Sequence, residues 1–388
     1  MITPARPSAL AVSPDKSINV MIVDDSAVIR GLIARNLQAH PSIRIVASAA
    51  NGQFALDYAR KGGIDVVILD IEMPVMDGLT ALPRLLALDP RLKIIVASTL
   101  STRNAEISLK CLDLGAVDYI PKPTASRDVG ALAGGSDAFR RELIDKILVH
   151  GGQRRGFLPM ATSPRPPFGT SAPAAAATSK PSEPHIRLRP PSALRPRVLA
   201  IGCSTGGPQA LKVLLPGLVN GGLALPIVIT QHMPPTFTSI LADHIRLQTG
   251  RTAAEAKDGE ELLPHQIYVA PGGRHLRVIA ENGRCVVRLG NDPPQNFCRP
   301  AVDPMFLSLA EVFGARVLAT VLTGMGNDGR KGAEAIVSAG GTVVAQDEAS
   351  SVVWGMPGAV ATAGLCAAVE PISKLAETLL SLASRGQS

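Results

Sequence analysis

The sequence predicts an α/β protein: an N-terminal doubly wound unit, a linker, and a second parallel-sheet unit with a β-hairpin excursion. Three observations predict it. Short Val- and Ile-rich runs alternate with helical patterns in two separate stretches, which is how strands covered on both faces by helices read. A proline-, alanine- and serine-rich segment without apolar periodicity lies between them, and proline at that density removes amide donors that helices and ladders need. A chain of 388 residues is also long for one hydrophobic core.

The elements follow in order. Residues 1–17 hold no continuous apolar run and are expected to be a disordered tail, not a secretory leader. The first unit, 18–149, has strand candidates at 18–24, 44–48, 66–71, 93–98 and 118–120. Val28, Leu32, Ile33 and Leu37 supply the apolar face of a helix after the first strand. Such β-α repeats build an open parallel sheet whose sites lie at the carboxyl ends of its strands. The linker is placed at 150–195. The second unit, 196–388, has strand candidates at 197–201, 226–230, 267–270, 315–322 and 342–345. Between 259 and 289, "APGGRH" and "ENGR" mark turns between short strands, hence the hairpin. Residues 372–383 read as a closing amphipathic helix.

Composition narrows the classes. Hydrophobic residues are 46% and charged residues 18% of the chain, an ordinary globular balance. No apolar run approaches the roughly 18 residues that span a bilayer, so the protein is expected to be cytoplasmic and not membrane-inserted. Cys111, Cys203, Cys285, Cys298 and Cys366 are odd in number and scattered, which suits a reducing compartment. The net charge of +7 sits within residues 151–197, where eight Lys and Arg face one acid, Glu183. A basic connector reads as a solvated segment, and aromatic residues are only 3%, so no nucleic-acid partner is expected.

The first unit gathers charge at its strand ends. "VDDS" supplies Asp24 and Asp25, "LDIEMPVMDG" supplies Asp70, the fourth strand ends in Ser98, and "PKP" supplies Lys122. Carboxylates crowded on one rim repel unless a cation neutralises them, and hard oxygen ligands with room for water suit Mg²⁺. This set is suited to accepting a phosphoryl group: Asp70 attacks, Lys122 and the metal share the charge, and Ser98 bonds the product. These residues, with Tyr119, resemble the response-regulator receiver family, a flavodoxin-like fold, over about residues 18–125 with a final helix to about 149. The resemblance implies Asp70 as phosphoacceptor, Asp24, Asp25 and Asp70 as the metal-binding acids, and Ser98, Tyr119 and Lys122 as the switch residues.

"GCSTGG" follows the first strand of the second unit and fits G-x-S-x-G, whose glycines allow a sharp strand-to-helix turn presenting Ser204. Such a loop can equally cradle a phosphate at a helix N-terminus. A nucleophile needs a base. His232, in "TQHMPP" directly after the next strand, is favoured by its place on the same rim, with His275 in "APGGRHL" the other candidate. Asp328, in "LTGMGNDG", is the orienting carboxylate; Asp303 and Asp347 are runners-up, Asp303 being more simply a helix cap. Ser204, His232 and Asp328 thus form the economical triad, in a chain order unlike that of the α/β-hydrolases.

"GCSTGGP", "TQHMPP", "APGGRHL", "LTGMGNDG" and "SVVWGMPGAV" together resemble the catalytic domain of the CheB family of chemotaxis methylesterases, across about residues 195–385. The resemblance implies hydrolysis of glutamate γ-methyl esters on chemoreceptors, with the same chemistry on glutamine giving deamidation. It implies Ser204 as nucleophile, His232 as base and Asp328 as orienting acid, with no cofactor for the ester step. The backbone N–H groups of Thr205 and Met325 are the candidate oxyanion donors. A histidine kinase would be the phosphodonor, and the domain order suggests that the unphosphorylated receiver limits access to Ser204. Two rival outputs are a DNA-binding domain and a non-catalytic phosphate- or partner-binding module. The first lacks a basic recognition helix; the second lacks a P-loop lysine, since Pro208 and Gln209 follow the glycines.

Overall fold

The computed structural model describes residues 17–122, 135–155 and 186–385. The expected tail, apart from Ser17, and linker residues 156–185 lie outside the described residues. The chain divides into two compact units, and each is taken by itself.

The first unit is built on β1 (Ile18–Val23), β2 (Ile43–Ala49), β3 (Val66–Asp70), β4 (Lys93–Ser98) and β5 (Asp118–Pro121). They form a parallel sheet in the order β2-β1-β3-β4-β5. Every residue of β3 is buried, the pattern of a strand covered on both faces. Helix α1 (Ala27–Gln38) starts at Ser26, whose hydroxyl accepts the Ile29 N–H. It buries Ile33 and Leu37 with Ile29 packed alongside. Val28, expected on that face, is 79% exposed. At 3.6 residues per turn it points about 140° away from Ile33.

The closing helix of this unit, Gly135–Arg155, runs past the boundary expected at 149. Its end is fastened by charge. Arg154 lies 3.2 Å from Asp65 and 2.6 Å from Asp89, and Arg155 lies 2.7 Å from Asp65. Two cations assigned to a solvated linker therefore belong to this unit's packing. Deeper in, Lys146 Nζ bonds Asp118 Oδ1 (3.0 Å) and the Tyr119 carbonyl (2.5 Å), and His150 Nε2 lies 3.4 Å from Asp118 Oδ2. Burial opposes ionisation of Asp118, but Lys146 and His150 hold its carboxyl down to about 2.

The second unit has β6 (Val198–Cys203), β7 (Ile227–Gln231), β8 (Ala253–Glu255), β9 (Ile267–Val269), β12 (Val317–Val321), β13 (Thr342–Gln346) and β14 (Ala368–Glu370) in one seven-stranded sheet, ordered β14-β13-β12-β6-β7-β9-β8. All its pairings are parallel. The expected hairpin is β10 (His275–Glu281) against β11 (Arg284–Gly290). Sequence reading missed β8 and β14, three-residue edge strands reading "AAE" and "AVE" that are too short to show a run. Residues 186–194, counted with the linker, lie along this unit. Arg189 N–H donates to Cys366 O (2.9 Å), and Ser192 bonds Thr342 Oγ1 (2.8 Å) and Ala315 O (2.8 Å). Because β6 comes first in this unit yet sits between β12 and β7, the chain leaves it in both directions. In open α/β sheets, sites lie at the carboxyl end of such a switch point.

Candidate functional site

Two constellations occupy strand ends. In the first unit Asp24 follows β1 and Asp70 ends β3, both buried, while Asp25 is exposed. Oxygens of all three lie within 4.8 Å of one another. Lys122 Nζ sits 2.7 Å from Asp24 Oδ2 and 2.7 Å from Asp70 Oδ1. Burial raises the Asp70 carboxyl to about 6, with Asp24 adding to the rise and Lys122 opposing it. A site in which Asp70 resists ionisation even beside an ammonium accommodates more positive charge, so the three-carboxylate oxygen donor set fits a hard divalent cation such as Mg²⁺. Ser98, buried at the end of β4, donates to Thr99 O (3.0 Å). Tyr119 is buried, its ring 5.1 Å from the Lys146 ammonium.

In the second unit, Ser204 is the first residue beyond β6 and half-buried. Its N–H donates to Thr323 O (3.0 Å), tying it to the loop after β12, and its carbonyl accepts the Gly207 N–H (2.7 Å). Gly206, at φ +77°, makes the turn into the helix Gly207–Asn220 in a conformation L side chains rarely adopt. Cys203 pairs with Gln231 across the ladder, and the His232 N–H donates to Cys203 O (3.1 Å). Ser204 and His232 therefore leave neighbouring strands at the same level. Gln231 Nε2 bonds both carbonyls, Ser204 O at 2.9 Å and His232 O at 3.2 Å.

Asp328 reaches the same place from the loop after β12. Its Oδ2 lies 2.7 Å from His232 Nε2 and accepts the Val302 N–H at 2.6 Å. Its Oδ1 accepts the N–H groups of Asp303 (3.2 Å) and Gly329 (3.0 Å) and Asn296 Nδ2 (3.0 Å). Burial disfavours its charge, yet these donors and His232 hold it below the usual carboxylate range. Burial lowers His232, whereas Cys298 and Asp328 push it up to about 10. Cys298 Sγ stands 3.3 Å from His232 Nδ1. Among the described residues the Ser204 hydroxyl has no hydrogen-bond partner, and the N–H groups of Thr205 and Met325 donate to none.

The other candidates have partners elsewhere. His275 is fully buried with Nε2 on Pro293 O (3.1 Å) and Nδ1 accepting the Ala301 N–H (3.2 Å), a ring spent on backbone. Asp347 binds Ser350 in a turn, Oδ1 to N at 3.0 Å and to Oγ at 2.6 Å. Asp303 is not the cap expected. It lies inside the first turn of Val302–Phe313, where Ala301 is the cap residue, and accepts the Gly332 N–H (2.8 Å). Burial and the neighbouring Asp328 raise its carboxyl. Sequence reasoning missed Asn296, Cys298 and Gln231. Only Gln231 lay in a motif already singled out.

Comparison with known proteins agrees with this division of the chain. A family model described as CheB methylesterase matches residues 199–379, and one described as response regulator receiver domain matches residues 20–132. A protein-glutamate methylesterase/protein-glutamine glutaminase of Azospirillum brasilense is 52% identical over 375 residues, covering 95% of this chain and 93% of its own. One from Paramagnetospirillum magneticum is 53% identical over 377 residues, covering 95% and 97%. Among solved structures, the Thermotoga maritima CheB methylesterase catalytic domain is 41% identical with a TM-score of 0.47, covering 49% of this chain and all of its own. A receiver in front of a methylesterase domain, matched along nearly the whole length at this identity, places the chain in the CheB methylesterase family of hydrolases.

Proposed function

We propose that this chain is a phosphorylation-activated protein-glutamate methylesterase acting on chemoreceptors, and a glutamine deamidase by the same chemistry. The observation that carries the reading is the 2.7 Å bond between His232 Nε2 and Asp328 Oδ2, one strand away from Ser204 at the same sheet edge.

On this reading the steps run as follows from the residues at the strand ends. With Nε2 committed to Asp328, Nδ1 is the nitrogen that takes the Ser204 proton as Oγ attacks the ester carbonyl. The carbonyl oxygen becomes an oxyanion, for which the unclaimed N–H groups of Thr205 and Met325 are donors. The imidazolium returns its proton to the leaving oxygen, the C–O bond breaks, and methanol departs. Water, deprotonated by Nδ1, then attacks the acyl-enzyme and releases the glutamate carboxylate with Ser204 restored. Asp328 stays ionised throughout and fixes the ring. With glutamine, the leaving group is ammonia.

In the receiver, an Asp70 oxygen attacks phosphorus of a phosphohistidine on a kinase, and the nitrogen–phosphorus bond breaks. Lys122 holds Asp70 and Asp24 in place. Asp24, Asp25 and Asp70 would hold Mg²⁺, which would supply positive charge for the phosphoryl oxygens. Ser98 and Tyr119 register the product, and the phosphorylated state favours the active arrangement. Among the described residues no helix is long and apolar enough to cross a membrane, and we place the protein in the cytoplasm, beside the receptors' cytoplasmic helices.

The test is methanol release from methylated receptor membranes, with and without a small-molecule phosphodonor. Release that the phosphodonor accelerates is expected; membranes that keep their methyl groups would refute the reading. A second expected outcome concerns Gly324. A Cβ there would stand 2.9 Å from Ser204 Cβ and against Met356 Sδ. Gly324→Ala should displace the nucleophile and cut turnover about a hundredfold, with an unchanged circular dichroism spectrum.

A further inference from the structure

The turn Gln295–Cys298 touches both the acid and the base. Its ends are joined by Gln295 N–H to Cys298 O (3.0 Å) and Cys298 N–H to Gln295 O (2.8 Å). Between them Asn296 lies at φ +50° and Phe297 at φ +64°. Asparagine tolerates the left-handed region, but an aromatic residue there is under steric strain. Such strain persists where surrounding structure enforces it, and it clusters at functional sites. Here the turn delivers Asn296 Nδ2 to Asp328 Oδ1 and Cys298 Sγ to His232 Nδ1.

The imidazole has two nitrogens and three claimants. Asp328 holds Nε2, and Asp328 is itself fixed by three backbone N–H groups and Asn296. The ring is therefore oriented without help from sulfur. What the thiol adds is occupancy of the nitrogen that must reach Ser204. We propose that Cys298 competes with Ser204 for His232 Nδ1 and holds the base in a resting, unproductive pair. The inference rests on the triad assigned above.

In the pair, Sγ and Nδ1 share one proton 3.3 Å apart, and the nitrogen is open to a proton from Ser204 only when that contact is broken. The titratable groups facing His232 are Cys298 from this turn and Asp328 from the loop after β12, with Asp303 behind Asp328. Both Cys298 and Asp328 raise the imidazole against burial. While the pair is intact the ring stays protonated at neutral pH and cannot accept a proton from Ser204. Removing sulfur takes away one of the two raising partners. The pH above which the base becomes available then falls.

The test compares full-length wild type, Cys298→Ala, Cys298→Ser and Ser204→Ala by methanol release from methylated receptor membranes across about pH 6 to 10. Cys298→Ala is expected to be about tenfold faster at neutral pH, the worth of one hydrogen bond of about 1.4 kcal/mol. The acid limb of its kcat/KM profile should move down by about one unit or more. Cys298→Ser removes the sulfur from Nδ1 while keeping the side chain's size, and should show the same movement of the limb, which settles the matter if the alanine variant folds poorly. Variants that are slower, or unchanged with an unmoved limb, while Ser204→Ala is inactive, overturn the competition but not the triad. Activity retained by Ser204→Ala overturns the triad and this inference with it.

Discussion

Ser204→Ala is expected to lower methanol release by about 10⁴-fold or more, while Asp70 is phosphorylated at the wild-type rate. The size follows from the role proposed for the hydroxyl: in that mechanism it forms the covalent intermediate, and without it His232 and Asp328 have no proton to move. Removing the nucleophile of a serine triad leaves only the residual catalysis of oxyanion donors and binding. The fold should tolerate the change. Ser204 is fastened through its backbone, by N–H to Thr323 O, by its carbonyl to the Gly207 N–H, and by Gln231 Nε2, and alanine keeps all three. Receptor membranes mixed with the variant should retain their methyl groups, with binding intact.

Asp70→Asn should abolish phosphorylation and with it the stimulation by a phosphodonor. The amide fills the same space but offers no nucleophilic oxygen of comparable basicity. It also removes one negative charge from a rim where burial and Asp24 already raise Asp70 to about 6, so the cluster's demand for a divalent cation falls as well. The unphosphorylated esterase rate should stay at the wild-type basal level. Phosphate incorporation and methanol release, measured on the same preparation, check both parts. A variant that still responds to the phosphodonor would mean that another group accepts the phosphoryl.

The contrast between what the sequence shows and what it hides has physical causes. Parallel strands buried on both faces leave continuous apolar runs, so β1, β3, β4, β6, β7 and β12 were legible to within a residue or two. The exposed-edge strands β8 and β14 are held by ladder bonds at three residues each and leave no run. The turns presenting Ser204, His232 and Asp328 were legible because strand ends and glycines mark them. Asn296 and Cys298 were not. Their contacts cross 32 and 66 residues, and nothing in "QNFC" carries a period or a turn signal that names the partner. Asp303 looked like a cap because the helix begins beside it. Its role emerges only when Gly332 and Asp328, both remote in sequence, are seen against it. Two of the eight cations placed in the linker are hidden from the sequence for the same reason: Arg154 and Arg155 have their partners in the remote Asp65 and Asp89.

The central claim is that His232 and Asp328 activate Ser204. Labelling with a fluorophosphonate, which needs an activated serine but no receptor, tests it most directly. Peptide mass mapping of the labelled full-length chain should find one adduct, on Ser204, and the labelling rate should fall by about 10³-fold or more in His232→Ala and in Asp328→Asn. An adduct on another residue, or a Ser204 adduct that forms equally fast in all three proteins, would contradict the account.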